Sequence, residues 1–184
     1  SYGDVCYDSS CYDGYCLTYL QEIAKYTGWH YKFIYDTWPN LWQKFQNGQI
    51  DILCAFTRTP EREQLYDFSK YPIGMEATAL YVRSETPDIF YEDYPAFNGL
   101  RIAVMDGTYQ QEALRKYAAE HHFQYTEVCF HDNAEMFDAL DAAQVDAVSS
   151  CTLYHVDHYK IVAHMSIEPF YFITQKNRKD QILA

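Results

Sequence analysis

The sequence predicts an α/β protein of two lobes of like topology, each lobe a mostly parallel sheet flanked by helices. Two observations carry this. Strand-like runs alternate with amphipathic helical runs along the chain, the pattern that builds parallel sheets through helical crossovers. A helix–turn–strand unit also recurs at an offset of 95 residues: Leu41-Trp42…Phe45…Gln49-Ile50-Asp51-Ile52-Leu53 matches Met136-Phe137…Leu140…Gln144-Val145-Asp146-Ala147-Val148. Chance likeness of two amphipathic units is the competing reading. The coincidence of Gln, a β-branched residue, Asp and two apolar residues favours a true repeat. Ligands of such sheets sit beyond the carboxyl ends of the strands, so two facing lobes would form a cleft.

Residues 1–15 read as a loop. Leu17, Leu20, Ile23 and Ala24 have helical spacing, stopped by Gly28. Trp29 to Tyr35 alternates aromatic with other residues and predicts a strand. Pro39 suits a first helical turn, with Leu41, Trp42 and Phe45 as the buried face and Asn47-Gly48 as the stop. Ile50 to Ala55 predicts a short buried strand, Thr59-Pro60 a helix start, and Ala77 to Arg83 another strand. Pro87 to Asn98 reads as a connection. The second cycle runs through a strand at Leu100–Met105, a turn at Asp106-Gly107-Thr108, and a helix to about His122. A strand at Tyr125–Cys129 follows, then a helix at Asp132–Ala143 with an Asp132/Glu135 capping box, and a strand at Val145–Ser149. A short helix near Thr152–His158 and strands at Lys160–Met165 and Pro169–Thr174 complete the chain.

The stretch from Asn47 to Ser69 is the most informative. It reads as helix stop, buried strand, then a loop opening a short helix with Arg62 in its first turn. That places a hydroxyl (Thr57), backbone N–H groups and a guanidinium at the carboxyl end of a strand, where a small anion, above all a carboxylate, is readily held. A surface arginine paired with Glu61 or Glu63 is the plainer alternative.

A net charge of −12 argues against nucleic acid or anionic lipid as partner, and no basic run occurs. Aromatic residues make up 18% of the chain, with 19 Tyr, enough for ordinary packing and for an aromatic-lined cleft. No apolar run approaches the roughly 18 residues of a membrane span. The start at Ser1 suggests a processed or excised fragment. Of the six cysteines, Cys54 and Cys129 lie in strand-like runs and read as small buried hydrophobes. Cys6, Cys11 and Cys16 allow a disulfide in an extracytoplasmic setting, with free thiols the favoured reading and zinc spacing poor.

Gly48-Gln-Ile-Asp51, Thr59-Pro-Glu-Arg62, Asp67-Phe-Ser69 and Asp106-Gly-Thr-Tyr-Gln110, in this order, together resemble the family 3 extracellular solute-binding proteins, whose domains have the type 2 periplasmic-binding-protein fold and typically bind amino acids. The resemblance runs from about Gly14 to Gln175. Tyr19 to Gly28 looks most like versions fused to membrane sensor proteins. The family implies two lobes joined by two crossing strands, here residues 1–83 plus 168–184 and residues 84–167, with a small-molecule ligand between them. Closure around that ligand would be read by a transporter or a transmembrane partner. It also implies an extracytoplasmic location, with membrane attachment only through a tether or fused segment outside this chain. No cofactor and no metal is implied, and a dimer through the full-length protein is left open.

Carried across by the resemblance, Arg62 holds the ligand carboxylate, a task suited to a planar fork. Thr57 adds a hydroxyl and an N–H, Ala55 a backbone carbonyl for an ammonium, and Trp38 an aromatic cover; a helix-flanking core role for Trp38 is nearly as well supported. Thr108, Tyr109 and Gln110 occupy the turn that donates to the carboxylate from the other lobe. Tyr109 departs from the usual small hydroxyl residue. Cys151 departs further, standing where an aspartate commonly pairs with the α-ammonium; a thiol cannot supply that charge. Ser149, Ser150 or Asp157 would have to compensate. The carboxylate half is therefore kept and the ammonium half lost.

The opening strand of the family is not recognisable before the first helix, where Tyr7, Tyr12 or Tyr15 could supply a cleft aromatic, and its closing helix beyond Ala184 is missing. Cys151, His155 and His158 would share a helical face, but a polar helix surface is favoured over a metal or nucleophile site. The expected function is non-catalytic ligand binding coupled to transmembrane signalling. A transporter receptor, a degenerate interaction module and a small-carboxylate enzyme on the same scaffold are the alternatives.

Overall fold

The computed structural model describes residues 15–152 and 158–177. They fall into two compact units, one drawn from Ser1–Met75 with Pro169–Ala184, the other from Glu76–Glu168.

In the first unit, α1 (Tyr15–Thr27) buries Cys16 and Leu20 against Ala55, Ile73, Phe170 and Phe172. Gly28 ends it at φ 71°, its N–H bonded to Ala24 O at 2.8 Å. The predicted strand at Trp29–Tyr35 is not formed: residues 28–37 have no regular structure. Its alternation is real as packing. Trp29, Tyr31 and Phe33 make successive ring contacts at 6.3 and 5.9 Å, and Tyr31 and Phe33 lie against the α1 cluster. A strand also needs a hydrogen-bonded neighbour, and none pairs here among the described residues.

Helix α2 (Trp38–Gln46) has Pro39 in its first turn and buries Leu41 and Phe45. Gln175 Nε2 donates to Phe45 O at 2.8 Å and Gln46 O at 3.2 Å, satisfying carbonyls at its end. Strand β1 (Leu53–Thr57), helix α3 (Pro60–Leu65) and strand β2 (Tyr66–Phe68) follow. Strands β1 and β2 both pair antiparallel with the last residues of a long final strand. Leu53 pairs with Ile173 and Phe56 with Tyr171, so three steps on β1 oppose two on its partner. This bulge, with Ala55 at φ 57°, lets Leu53 and Phe56 enter one core cluster despite their odd spacing, while Ala55 enters the other. The Asp67-Phe68-Ser69 motif is structural. Asp67 pairs with Lys176 at 3.3 Å, Phe68 is buried, and Ser69 Oγ accepts from Phe172 N and donates to Tyr71 O.

The second unit contains most of β3 (Gly74–Arg83), then β4 (Arg101–Met105), α4 (Tyr109–Glu120), β5 (Thr126–Phe130), α5 (Asn133–Asp141) and β6 (Ala147–Cys151). Its order is β3-β6-β4-β5, with β4 parallel to β5 and β6, and β3 antiparallel to β6. Leu80, Val82, Ile102, Val104, Leu114 and Ala147 form the centre of its core. The two strands predicted near the end are one strand, β7 (Tyr159–Gln175). The polar Ser166–Pro169 stretch reads as a break, but the backbone stays extended through it, because Pro is tolerated in a strand wherever no ladder donor is needed. Cys129 is exposed rather than buried, since β5 is the outermost strand of this unit. Cys54 is half-buried against Cys16, a contact that, with burial, holds the Cys54 thiol pKa well above its usual value.

The repeat has a backbone counterpart. Gly48 and Ala143, 95 residues apart, follow α2 and α5 and both adopt left-handed backbone, at φ 73° and 55°. Asp132 caps α5 by accepting from Glu135 N at 2.8 Å, while Glu135 reaches back to His131 N instead of the cap's own N–H. Asp146 accepts from Arg101 N at 2.8 Å and pairs with its guanidinium, tying β4 to the start of β6 and holding the Asp146 carboxyl below its usual pKa. Ala143 is exposed and carries a Cβ where Gly48 has none. Ala143→Gly is expected to stabilise the protein by about 0.5–1 kcal/mol, read as a higher denaturant midpoint at unchanged slope.

Candidate functional site

In the first unit, Thr59 caps α3 by accepting from Arg62 N at 3.3 Å, which fixes the arginine's backbone. Its guanidinium donates to Thr57 O at 3.2 Å and lies 4.6 Å above the Phe56 ring. Glu63 instead pairs with Arg58, at 3.0 Å. Trp38 stacks on the same Phe56 ring at 6.3 Å and on Trp42 at 6.1 Å. Arg62 and Trp38 thus converge on Phe56, a buried seat that sequence reasoning did not single out, with Thr57 O held by Arg62 beside it. Ala55, one residue before it, is the left-handed position of the bulge. Such strain in a non-glycine residue often marks a functional backbone.

In the second unit, the Asp106–Gln110 turn opens α4 as the sequence suggests, but its side chains are committed. Thr108 Oγ1 donates to Met105 O at 2.7 Å and accepts from Gln111 N at 3.4 Å. Gly107 N donates to Gln111 Oε1 at 3.1 Å. Tyr109 donates to Glu168 at 3.1 Å; burial and that carboxylate raise its phenol pKa.

Gln110 and Cys151 come together on a residue that sequence reasoning missed. Glu76, on β3, is only 4% exposed. Its Oε1 accepts from Gln110 Nε2 at 3.2 Å, and its Oε2 is buried with no hydrogen-bond partner among the described residues. Burial pushes its pKa up to about 7, against the opposing pull of Gln110 and the Cys151 thiol. Cys151 itself is 1% exposed, its carbonyl accepting from Tyr81 OH at 3.3 Å. Ser149 and Ser150 are turned to Gln110 O and Asn133. Asp157 and His155 lie outside the described residues. The signal for Glu76 was a single charge inside the apolar run Ile73–Val82.

Solved structures of similar fold include an ancestral amino acid-binding protein described as a precursor of cyclohexadienyl dehydratase, at 24% identity and TM-score 0.78, covering 94% of this chain and 76% of that one. An ancestral arginine-binding protein bound to arginine matches at 24% identity and TM-score 0.78, over 94% and 79%. A putative L-cystine ABC transporter protein from Listeria monocytogenes matches at 19% identity and TM-score 0.78, over 94% and 78%. These establish the fold as that of type 2 periplasmic binding proteins. Residues 5–150 match the sequence profile of the bacterial extracellular solute-binding proteins, family 3. The chain belongs to that family.

Proposed function

We propose that the chain is a non-catalytic, extracytoplasmic binding domain for a small carboxylate or amino-acid-like ligand. Ligand closure is coupled to a transmembrane signalling partner; a transporter receptor is the same binding chemistry with a different output. The carrying observation is the fixed guanidinium of Arg62, seated on Phe56 and tied to Thr57 O beside the strained Ala55. A guanidinium already oriented can grip a carboxylate in a bidentate manner with little further ordering cost. Trp38 adds an apolar wall, and the backbone N–H groups at the start of α4 are the donors proposed for the second unit. Amino acids bound by proteins of this fold support the ligand class.

A thermal-shift screen of amino acids, organic acids and polyamines tests this reading. A ligand at a hundred times its Kd stabilises by about 2.7 kcal/mol, a rise of roughly 5–10 °C for a chain of this size. Arg62→Ala is expected to remove that rise. A ligand-dependent rise of equal size in the variant would defeat the carboxylate anchor.

One observation favours a second reading, acid–base chemistry on a small carboxylate. Glu76 is a buried acid poised near neutrality, as a general acid or base must be. Turnover of a carboxylate substrate that is lost in Glu76→Gln would establish it; binding without turnover favours the first reading.

A further inference from the structure

We propose that Glu76, with Gln110 and Cys151 around it, is a cation-receiving subsite in which the ligand's ammonium group is taken up in exchange for a proton. The proposal rests on the binding reading above and adds the missing charge. A thiol at Cys151 cannot balance an ammonium, but the carboxyl that this thiol touches can.

A buried carboxyl of purely structural use is paired with a cation or fully hydrogen-bonded. Glu76 is neither. Gln110 Nε2 at 3.2 Å occupies Oε1, Oε2 is buried with no hydrogen-bond partner among the described residues, and the Cys151 thiol that acts on the carboxyl is at best a weak donor. The groups acting on it are Gln110 from α4 and the Cys151 thiol from β6, and among the described residues no cation is paired with it. The next residues along β3 are committed elsewhere, Ala77 N donating to Thr152 Oγ1 at 3.2 Å and Thr78 pairing with Cys151 across the ladder. Two of the residues marked by the sequence as ligand positions thus meet on one incompletely bonded acid.

The exchange balances simply. The protonated carboxyl of Glu76 releases its proton to solvent, an ammonium takes its place against the resulting carboxylate, and no bond within the ligand changes. Since Glu76 titrates near 7 while an amino acid's ammonium stays protonated, affinity for an amine is expected to rise about tenfold between pH 6 and pH 8.

Isothermal titration of wild type, Glu76→Gln and Arg62→Ala tests this, with the twenty common amino acids, spermidine and the matching desamino acids as probes. For the tightest amine, the expected result is a tenfold pH dependence and release of about half a proton at pH 7, rising towards one at pH 6, read from heats in buffers of different ionisation enthalpy. Glu76→Gln is expected to abolish both and to weaken that amine at least tenfold, with its desamino acid changed less than about threefold. Proton release is measured on wild type, so the proposal does not depend on the variant folding. Equal amine affinity and equal pH dependence in Glu76→Gln would overturn it. So would a wild type that binds no amine at pH 8. If such a protein still binds a desamino acid and loses it in Arg62→Ala, the carboxylate reading stands and this one falls. Amine binding lost in Glu76→Gln but retained in Arg62→Ala supports this inference and defeats the carboxylate anchor.

Discussion

Replacing Glu76 by Gln is expected to raise the melting temperature at pH 8 by roughly 6–12 °C, and by nothing measurable at pH 4. The folded pKa of Glu76 is raised from 4.5 to about 7. A raised acid pKa means that the folded state holds the proton more tightly than the unfolded chain does. The favourable contribution is therefore complete below pH 4.5 and is lost as pH climbs through 7. Above that, wild type carries a desolvated carboxylate at a cost of about 3 kcal/mol, which a neutral amide avoids while still accepting from Gln110. Thermal melts of both proteins across this range check the claim; a difference that does not vary with pH would defeat it. The same substitution that strengthens the fold is expected to weaken amine capture, the trade expected where a site is kept strained for use.

Gly74→Ala is expected to destabilise by about 1–3 kcal/mol, for steric reasons. A Cβ at position 74 would lie 2.5 Å from Cζ and 2.9 Å from Cε1 of Phe170. The tip of an exposed side chain could swing aside. Phe170 cannot do so cheaply, because it is 1% exposed, its ring edge-on to Tyr15 at 5.9 Å and its carbonyl accepting from Ile73 N at 2.8 Å. Chemical denaturation should show a lower midpoint, and Phe170→Leu in the same chain should restore part of the loss, a non-additivity expected only of residues in contact. A double mutant whose loss equals the sum of the two singles would refute the clash.

Much of the architecture was legible because local rules and tertiary packing agree. Gly28, Gly48, Pro39, Thr59 and Asp132 act where their chemistry places them, and the repeat extends even to the left-handed backbone of Ala143. The failures have a common cause. Trp29–Phe33 has strand alternation, but alternation reports side-chain burial and says nothing of a hydrogen-bonded neighbour. The bulge in β1 is invisible because Ala55 offers no glycine signature, and it breaks the period-two pattern that would have revealed a strand running to Thr57. At the candidate site, the closeness of Arg62 to Thr57 could be read from spacing, since one short turn fixes both. Glu76 could not, because its neighbours Gln110 and Cys151 lie 34 and 75 positions away in sequence. Thr108 was recognised by position, but the use of its hydroxyl within the turn only emerges from the bond to Met105.

The first unit is discontinuous: among the described residues its β1 and β2 pair with the last residues of β7, Phe68 with Ile173 and Tyr66 with Gln175. On the ribosome, Glu76–Glu168 emerges as one contiguous segment and can fold while β1 and β2 still lack their partner. Closing the first unit then spans a loop of about a hundred residues, an entropic delay that slows the late step more than it weakens the product. Until that step, the backbone groups of β1 present an open edge in a nascent chain, the kind of surface that chaperones shield.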